Sequence, residues 1–109
     1  QQLCHAKRLG IHRVETIAGR SARENGYYTW PRFGFDGRVP DTLRRTMPPA
    51  WKHVRHVLDL MQTEPGRLWW KAHGMTLPLA FELAEGSRCW RTFRRYTRGK
   101  GGCDPWACA

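Results

Sequence analysis

Residues 75–83 place the tightest limit on what this chain can fold into. Met75, Leu77, Leu79, Phe81 and Leu83 alternate there with Thr76, Pro78, Ala80 and Glu82. Successive side chains of an extended backbone point to opposite faces, so this spacing predicts a strand with one buried face. Pro78 has no N–H to give to a ladder, which puts the strand at an edge or gives it an irregularity at that residue. A second strand is predicted over 11–18, where Ile11, Val14, Thr16 and Ile17 make a β-branched run bounded by Gly10 and Gly19.

Helical spacing accounts for most of the rest. Leu3, Ala6 and Leu9 share one helical face and Gly10 suits a left-handed cap, predicting a helix over 1–9. Because that face begins so close to Gln1, the chain reads as starting inside an element, which implies an upstream segment. Residues 19–26, GRSARENG, are polar and glycine-bounded and predict a loop running into a short helix that starts near Asn25. Pro31 belongs in that helix's first turn or distorts it. Residues 34–37, GFDG, read as the opening of a strand, after which Pro40, Pro48 and Pro49 interrupt the chain.

Ala50, Val54, Val57, Leu58 and Met61 recur at three- and four-residue steps opposite Lys52, Arg55, His56 and Asp59, which predicts one amphipathic helix over 50–61. In the next helix Thr63 is the cap, Pro65 fits the first turn and Gly74 ends it after Leu68, Trp69 and Trp70. Ser87 caps a last helix whose apolar stripe is Trp90, Phe93 and Tyr96, opposite Arg88, Arg91, Arg95 and Arg98. The expectation is an α+β chain with a single domain over 1–98 and a flexible tail over 99–109.

Composition narrows the function classes. Hydrophobic residues make 40% and charged residues 26% of the 109, so the chain folds rather than staying disordered. The formal charge of +10 sets up a field that attracts phosphates and acidic surfaces without naming one. No run approaches the roughly 20 apolar residues of a membrane span and no signal segment opens the chain, which gives the expectation of a cytoplasmic protein. Cys4, Cys89, Cys103 and Cys108 are unevenly placed for a disulfide framework and are read as free thiols. No metal site is expected: His53 and His56 are one helical turn apart, but no third ligand stands at a useful spacing.

The stretch QQLCHAKRLGIHRVETIAGR resembles the third helix and fifth strand of GNAT N-acetyltransferases, where a helix ending in Leu-Gly delivers a strand of the central sheet. NGYYTWPRFGFDG resembles the fourth helix and the Gly-Phe that opens the next strand. It is especially similar to the version found in GNAT-like domains of bacterial and phage multidomain proteins. The resemblance covers residues 1–37. It implies a partial GNAT-like fold with a small mixed sheet flanked by helices, a helical insertion over 41–73 and an added C-terminal helix. By the same resemblance the strand over 75–83 pairs with the strand near Phe35. It also requires residues 11–18 and 34–37 to lie side by side in one sheet, with the helix of Tyr28 bridging them.

What the resemblance implies for function is transfer of an acetyl group from acetyl-CoA to an amine acceptor, in a complete parent domain. The family's glycine-rich turn, which holds the CoA pyrophosphate on backbone N–H groups, is not among these residues, so the chain alone is expected to be inactive. Many family members carry a Tyr four residues before the Gly of Gly-Phe to protonate the departing thiolate. Here that position is Trp30, whose indole cannot act as an acid. Tyr28 is then the candidate catalytic acid, with Asn25, Gly26 and Trp30 the candidate cofactor-binding positions. Each has a plainer reading, since Tyr27, Tyr28 and Trp30 also suit packing and Asn25 suits an N-cap.

A rival from another class rests on RCWRTFRRYTRGKGG, where Arg88, Arg91, Arg95 and Arg98 could contact nucleic-acid phosphates and the interleaved rings could stack on bases. Trp90, Phe93 and Tyr96 share one helical face, so a core would consume them and leave nonspecific attraction. A non-catalytic interaction module is the third reading.

Overall fold

The computed structural model describes residues 8–99. Of the helix expected over 1–9 all but the end lies outside them, and Gly10 has φ +80°, as suits a helix terminus. Of the tail expected over 99–109, Gly99 instead ends the last helix and the rest lies outside the described residues. The fold is α+β.

Its centre is an antiparallel pair. Strand β1, Arg13–Ala18, runs against the alternating strand, here β4, Leu77–Glu82, in a register from Arg13 opposite Glu82 to Ala18 opposite Leu77. Leu77, Leu79, Phe81 and Leu83 are all buried, as their alternation demands. The Leu83 N–H donates to the His12 carbonyl at 2.9 Å, so the odd-numbered residues of β4 face β1. The even-numbered ones face the other way, where Ala80 and Asp36 exchange two backbone hydrogen bonds of 2.8 Å. Pro78 lies on that side and so removes no bond to β1; pairing there is confined to the Ala80 bridge, so the proline sits at a local gap in the ladder.

The same geometry corrects an expectation. Asp36 does bridge to the 75–83 strand at Ala80, but β4 stands between it and β1, so residues 11–18 and 34–37 do not lie side by side: the sheet is the β1–β4 pair, and the Asp36 segment meets it through that single bridge. The strand pairings among the described residues are antiparallel where a mixed sheet was expected.

Residues 19–26 are more than a loop. They form a hairpin of β2, Arg20–Ser21, and β3, Glu24–Asn25, with the Arg23 N–H donating to Ser21 Oγ at 3.2 Å inside the turn. Arg20 fastens the hairpin: its N–H donates to Thr76 Oγ1 at 2.8 Å and its guanidinium to the carbonyls of Ala72 and Gly74, at 3.3 and 2.5 Å. These carbonyls end a helix, where a cation is favourable.

Helix α1, Gly26–Arg32, begins one residue after Asn25 and carries Pro31 in its second turn, later than expected. A proline there cannot donate to the carbonyl four residues back, which belongs to Tyr27. The buried indole of Trp70 fills the gap, its Nε1–H donating to that carbonyl at 2.6 Å.

The single helix expected over 50–61 is broken. Helix α2, Asp41–Arg44, precedes a 3-10 turn, Pro49–Trp51, and α3 spans only Val57–Met61. The residues just before α3 are extended, because the backbone around Arg55 to Val57 pairs with the Gly37 to Val39 stretch: Val39 N–H to Arg55 O and Val57 N–H to Gly37 O, both 2.9 Å. Val54, Val57, Leu58 and Met61 are nonetheless all buried, while Ala50, expected on the same face, is exposed, so the periodicity found most of the core with the wrong backbone. Helix α4, Glu64–His73, follows expectation, with the Gly66 N–H donating to Thr63 Oγ1 at 3.1 Å and Pro65 in the first turn.

Helix α5, Arg88–Gly99, closes the core. The Trp90 N–H donates to Ser87 Oγ at 3.3 Å at its start, and the buried Trp90 indole donates to Leu83 O at 3.0 Å. Phe81 meets Trp90 edge-on at 4.9 Å and Phe35 at 5.4 Å, so one ring on β4 joins α5 to the segment after α1. Among the described residues no helix is long and apolar enough to cross a membrane.

Candidate functional site

The four residues expected to form a site lie on or beside α1. Asn25 ends β3, is exposed, and occupies the N-cap position of α1 as its plainer reading had it, although its side chain makes no capping bond. Gly26 is covered by a neighbour: a Cβ placed there would meet the Trp30 ring at 2.9 Å. Trp30 itself is 40% exposed and packs edge-on against Phe35 at 5.2 Å. Gly26 and Trp30 are therefore brought together.

Tyr28 faces elsewhere, since two residues along an α-helix rotate a side chain by roughly 200°. It is half-buried, with the Lys71 ammonium 5.4 Å and the Arg32 guanidinium 5.6 Å from its ring centre. Arg32 donates to its hydroxyl at 3.4 Å, a long bond in which the phenol oxygen is the acceptor. Its proton is committed to no acceptor among the described residues. Tyr27 differs: it is buried, its hydroxyl donates to Lys71 O at 2.5 Å, and its ring underlies Arg20, so its role is structural.

A second concavity was not legible in the sequence. A cleft of about 430 Å³ opens where the Asp36 segment meets β4 and α5, and Asp36, Arg38, His56, Arg88 and Cys89 are among its lining residues. Asp36 Oδ1 accepts from the N–H groups of Gly37 at 2.9 Å and Leu58 at 3.1 Å, so it caps α3 from a distance in sequence. His56 Nδ1 lies 3.6 Å from Asp36 Oδ2, too far for a strong hydrogen bond. Burial pushes the Asp36 carboxyl above its ordinary value, against the pull of the Leu58 N–H and of His56. Burial also raises the Cys89 thiol, which keeps it protonated. Ser87 Oγ donates to Glu82 O at 2.8 Å and accepts from Trp90 N–H, so it too is committed. The cleft thus holds a structural carboxylate and no activated nucleophile.

The α5 arginines are engaged within the fold. Arg88 pairs with Asp59 at 2.7 Å, Arg91 donates to Gly86 O at 2.5 Å, and Arg95 donates to Gln62 Oε1 at 2.8 Å, while Arg98 is exposed. The rings between them are used up as expected: Trp90 is buried, Phe93 meets Phe81 edge-on and lies tilted against Phe33, and Tyr96 meets Phe33 at 4.7 Å with Arg32 over its ring. No group of three His, Cys, Asp or Glu residues among those described is placed to hold a metal. Compared with protein-family models, with curated proteins and with solved structures, the chain matches none.

Proposed function

We propose that this chain is the acceptor-side part of a GNAT-like acyltransferase unit, acting in the cytoplasm within a longer protein that supplies the pyrophosphate-binding turn. The observation that carries the reading is Tyr28: it sits on the short helix that follows the β2–β3 hairpin and leads to the Asp36 segment bridged to β4, with its phenol accepting from Arg32 and its proton available. A phenol so placed suits a general acid that meets a departing thiolate.

In this proposal acetyl-CoA and an amine are the substrates. As the amine nitrogen bonds to the thioester carbon and the C–S bond breaks, Tyr28 gives its proton to sulfur, and the amine loses one to solvent. Lys71 and Arg32 hold the phenol in place and add positive charge where the thiolate develops. Asn25 is exposed and open to the amide groups of a pantetheine arm. Gly26 is available only if the Trp30 indole moves off it, which makes it the weakest fit of the four.

The test is to express the chain joined to whatever its gene encodes before Gln1 and to follow thiol release from acetyl-CoA across a panel of amines. The longer protein transfers acetyl and the 109-residue chain does not. Tyr28→Phe lowers kcat by about 10²- to 10⁴-fold, the usual worth of a general acid. A Tyr28→Phe enzyme as fast as its parent would return Tyr28 to a packing role. A longer protein with no phosphate-binding turn and no transfer would remove the acyltransferase reading.

A further inference from the structure

A second groove, of about 500 Å³, is lined by Arg38, Asp41, Arg44, Arg45, Lys52 and Arg55. Five of these six side chains are cations and one is a carboxylate, so the groove concentrates positive potential well beyond the chain's average. Two of the guanidiniums are fixed in place by the turn that follows the 3-10 segment. Arg44 donates to Val54 O at 3.0 Å and Lys52 O at 3.3 Å, and Arg55 donates to the same two carbonyls at 3.3 and 3.0 Å. Sharing two acceptors holds like charges close together, and Asp41, 3.3 Å from Arg44, is the carboxylate at hand to offset them. An anion relieves that repulsion. The guanidiniums are already ordered, so little side-chain entropy is lost when it arrives.

Arg38, Arg45 and Lys52 line the same groove, are exposed, and have no carboxylate within ion-pair distance among the described residues. Arg38 also lines the Asp36 cleft, whose own lining mixes Arg13 and Arg88 with Asp36 and Glu82, so the excess of positive charge belongs to the groove. Among the described residues no aromatic side chain lines the groove, so the lining favours the phosphates of a strand over its bases.

We propose that this groove, rather than the α5 arginines, binds the phosphodiester backbone of a nucleic acid without reading its sequence. Five cations along one groove favour phosphates repeated along a strand over one isolated anion, and guanidiniums match phosphate oxygens in geometry as well as charge. This site is separate from α1, so it stands whether or not the acyltransferase reading does.

The experiment follows fluorescence anisotropy of labelled single-stranded and duplex DNA of unrelated sequences, across a range of salt concentrations, with the chain and two variants. In the first variant Arg38, Arg45 and Lys52 become Ala; in the second Arg91, Arg95 and Arg98 become Ala. The first triple weakens binding about tenfold or more and lowers the slope of log affinity against log salt by about 2 to 3, the worth of three phosphate contacts. The second changes both by much less. Because none of the three groove residues is held by a side-chain bond, that variant keeps the far-ultraviolet dichroism of the parent. Arg38→Lys with Arg45→Lys, which keeps the charge, retains most of the binding. Undiminished binding in the groove variant overturns the proposal, as does loss confined to the α5 variant. Equal competition by polyglutamate would assign the groove to acidic protein, and by free tripolyphosphate to a small anion; either also overturns it.

Discussion

Pro31 and Trp70 show how a residue that breaks a local rule is compensated from far away. The proline removes the donor that the Tyr27 carbonyl would have used, and an indole 43 residues later supplies another in the buried core. Trp70→Phe keeps most of the ring and deletes only the donor. It is expected to cost about 1–3 kcal/mol, the usual price of an orphaned buried carbonyl, measured as a shift in the urea midpoint. In a Pro31→Ala background a backbone N–H returns to face the same carbonyl, so the cost of Trp70→Phe shrinks there. Equal costs in both backgrounds would show that the indole acts through packing alone. Gly34 is a second such residue: at φ +104° a side chain is strained, and a Cβ would collide with the Cys89 carbonyl at the start of α5. Both requirements are invisible along the chain, because the partner is set by the fold.

At the scale of elements, α3 is a five-residue helix that stands because two carboxylates serve its start. Asp59 accepts from the N–H groups of His56 at 3.0 Å and Arg55 at 3.1 Å, and Asp36 accepts from Leu58. Their titrations act in opposite directions. Burial raises Asp59, but the His56 and Arg55 N–H groups and the Arg88 guanidinium outweigh it, so the carboxyl lies below its ordinary 3.8. Its stabilisation is present above that value and is lost as pH falls through the lower folded one. For Asp36 burial wins, so the folded state holds the proton longer, and stability declines as pH rises from 3.8 through the raised folded value. Urea midpoints taken between about pH 3 and about pH 7 should therefore diverge. Asp59→Asn lies furthest below the parent at neutral pH and approaches it on acidification. Asp36→Asn gains on the parent as pH rises, since its amide oxygen still accepts from Gly37 and Leu58. Curves parallel to the parent's would refute this account. The elements read correctly from sequence, α4 and α5, announce themselves by Thr63 and Ser87 beside regular apolar stripes. The helix expected over 50–61 failed because Val54, Val57, Leu58 and Met61 fit either a helix or an extended entry into a short one, and pairing with the Gly37 to Val39 stretch chose between them.

The molecule as a whole carries a formal charge of +10, and several of its arginines are satisfied by carbonyls, which leave their charge uncancelled. Self-repulsion follows, and salt screens it. Raising sodium chloride from about 20 to about 200 mM is expected to lift the thermal midpoint by a few degrees, because the Debye length falls below the spacing of surface charges. A midpoint that does not rise would mean that local pairs already balance the field. Alternation and helical stripes, which are properties of neighbours in sequence, determined which residues of this protein face a core, and that is why β4, α4, α5 and the α+β class were legible. Tertiary structure alone decided that β4 lies between β1 and the Asp36 segment, that Trp70 serves the Tyr27 carbonyl, and that five cations line one groove. The reason is physical: periodicity specifies a buried face but not its partner, and partners are chosen by packing and backbone hydrogen bonds between segments far apart in the chain.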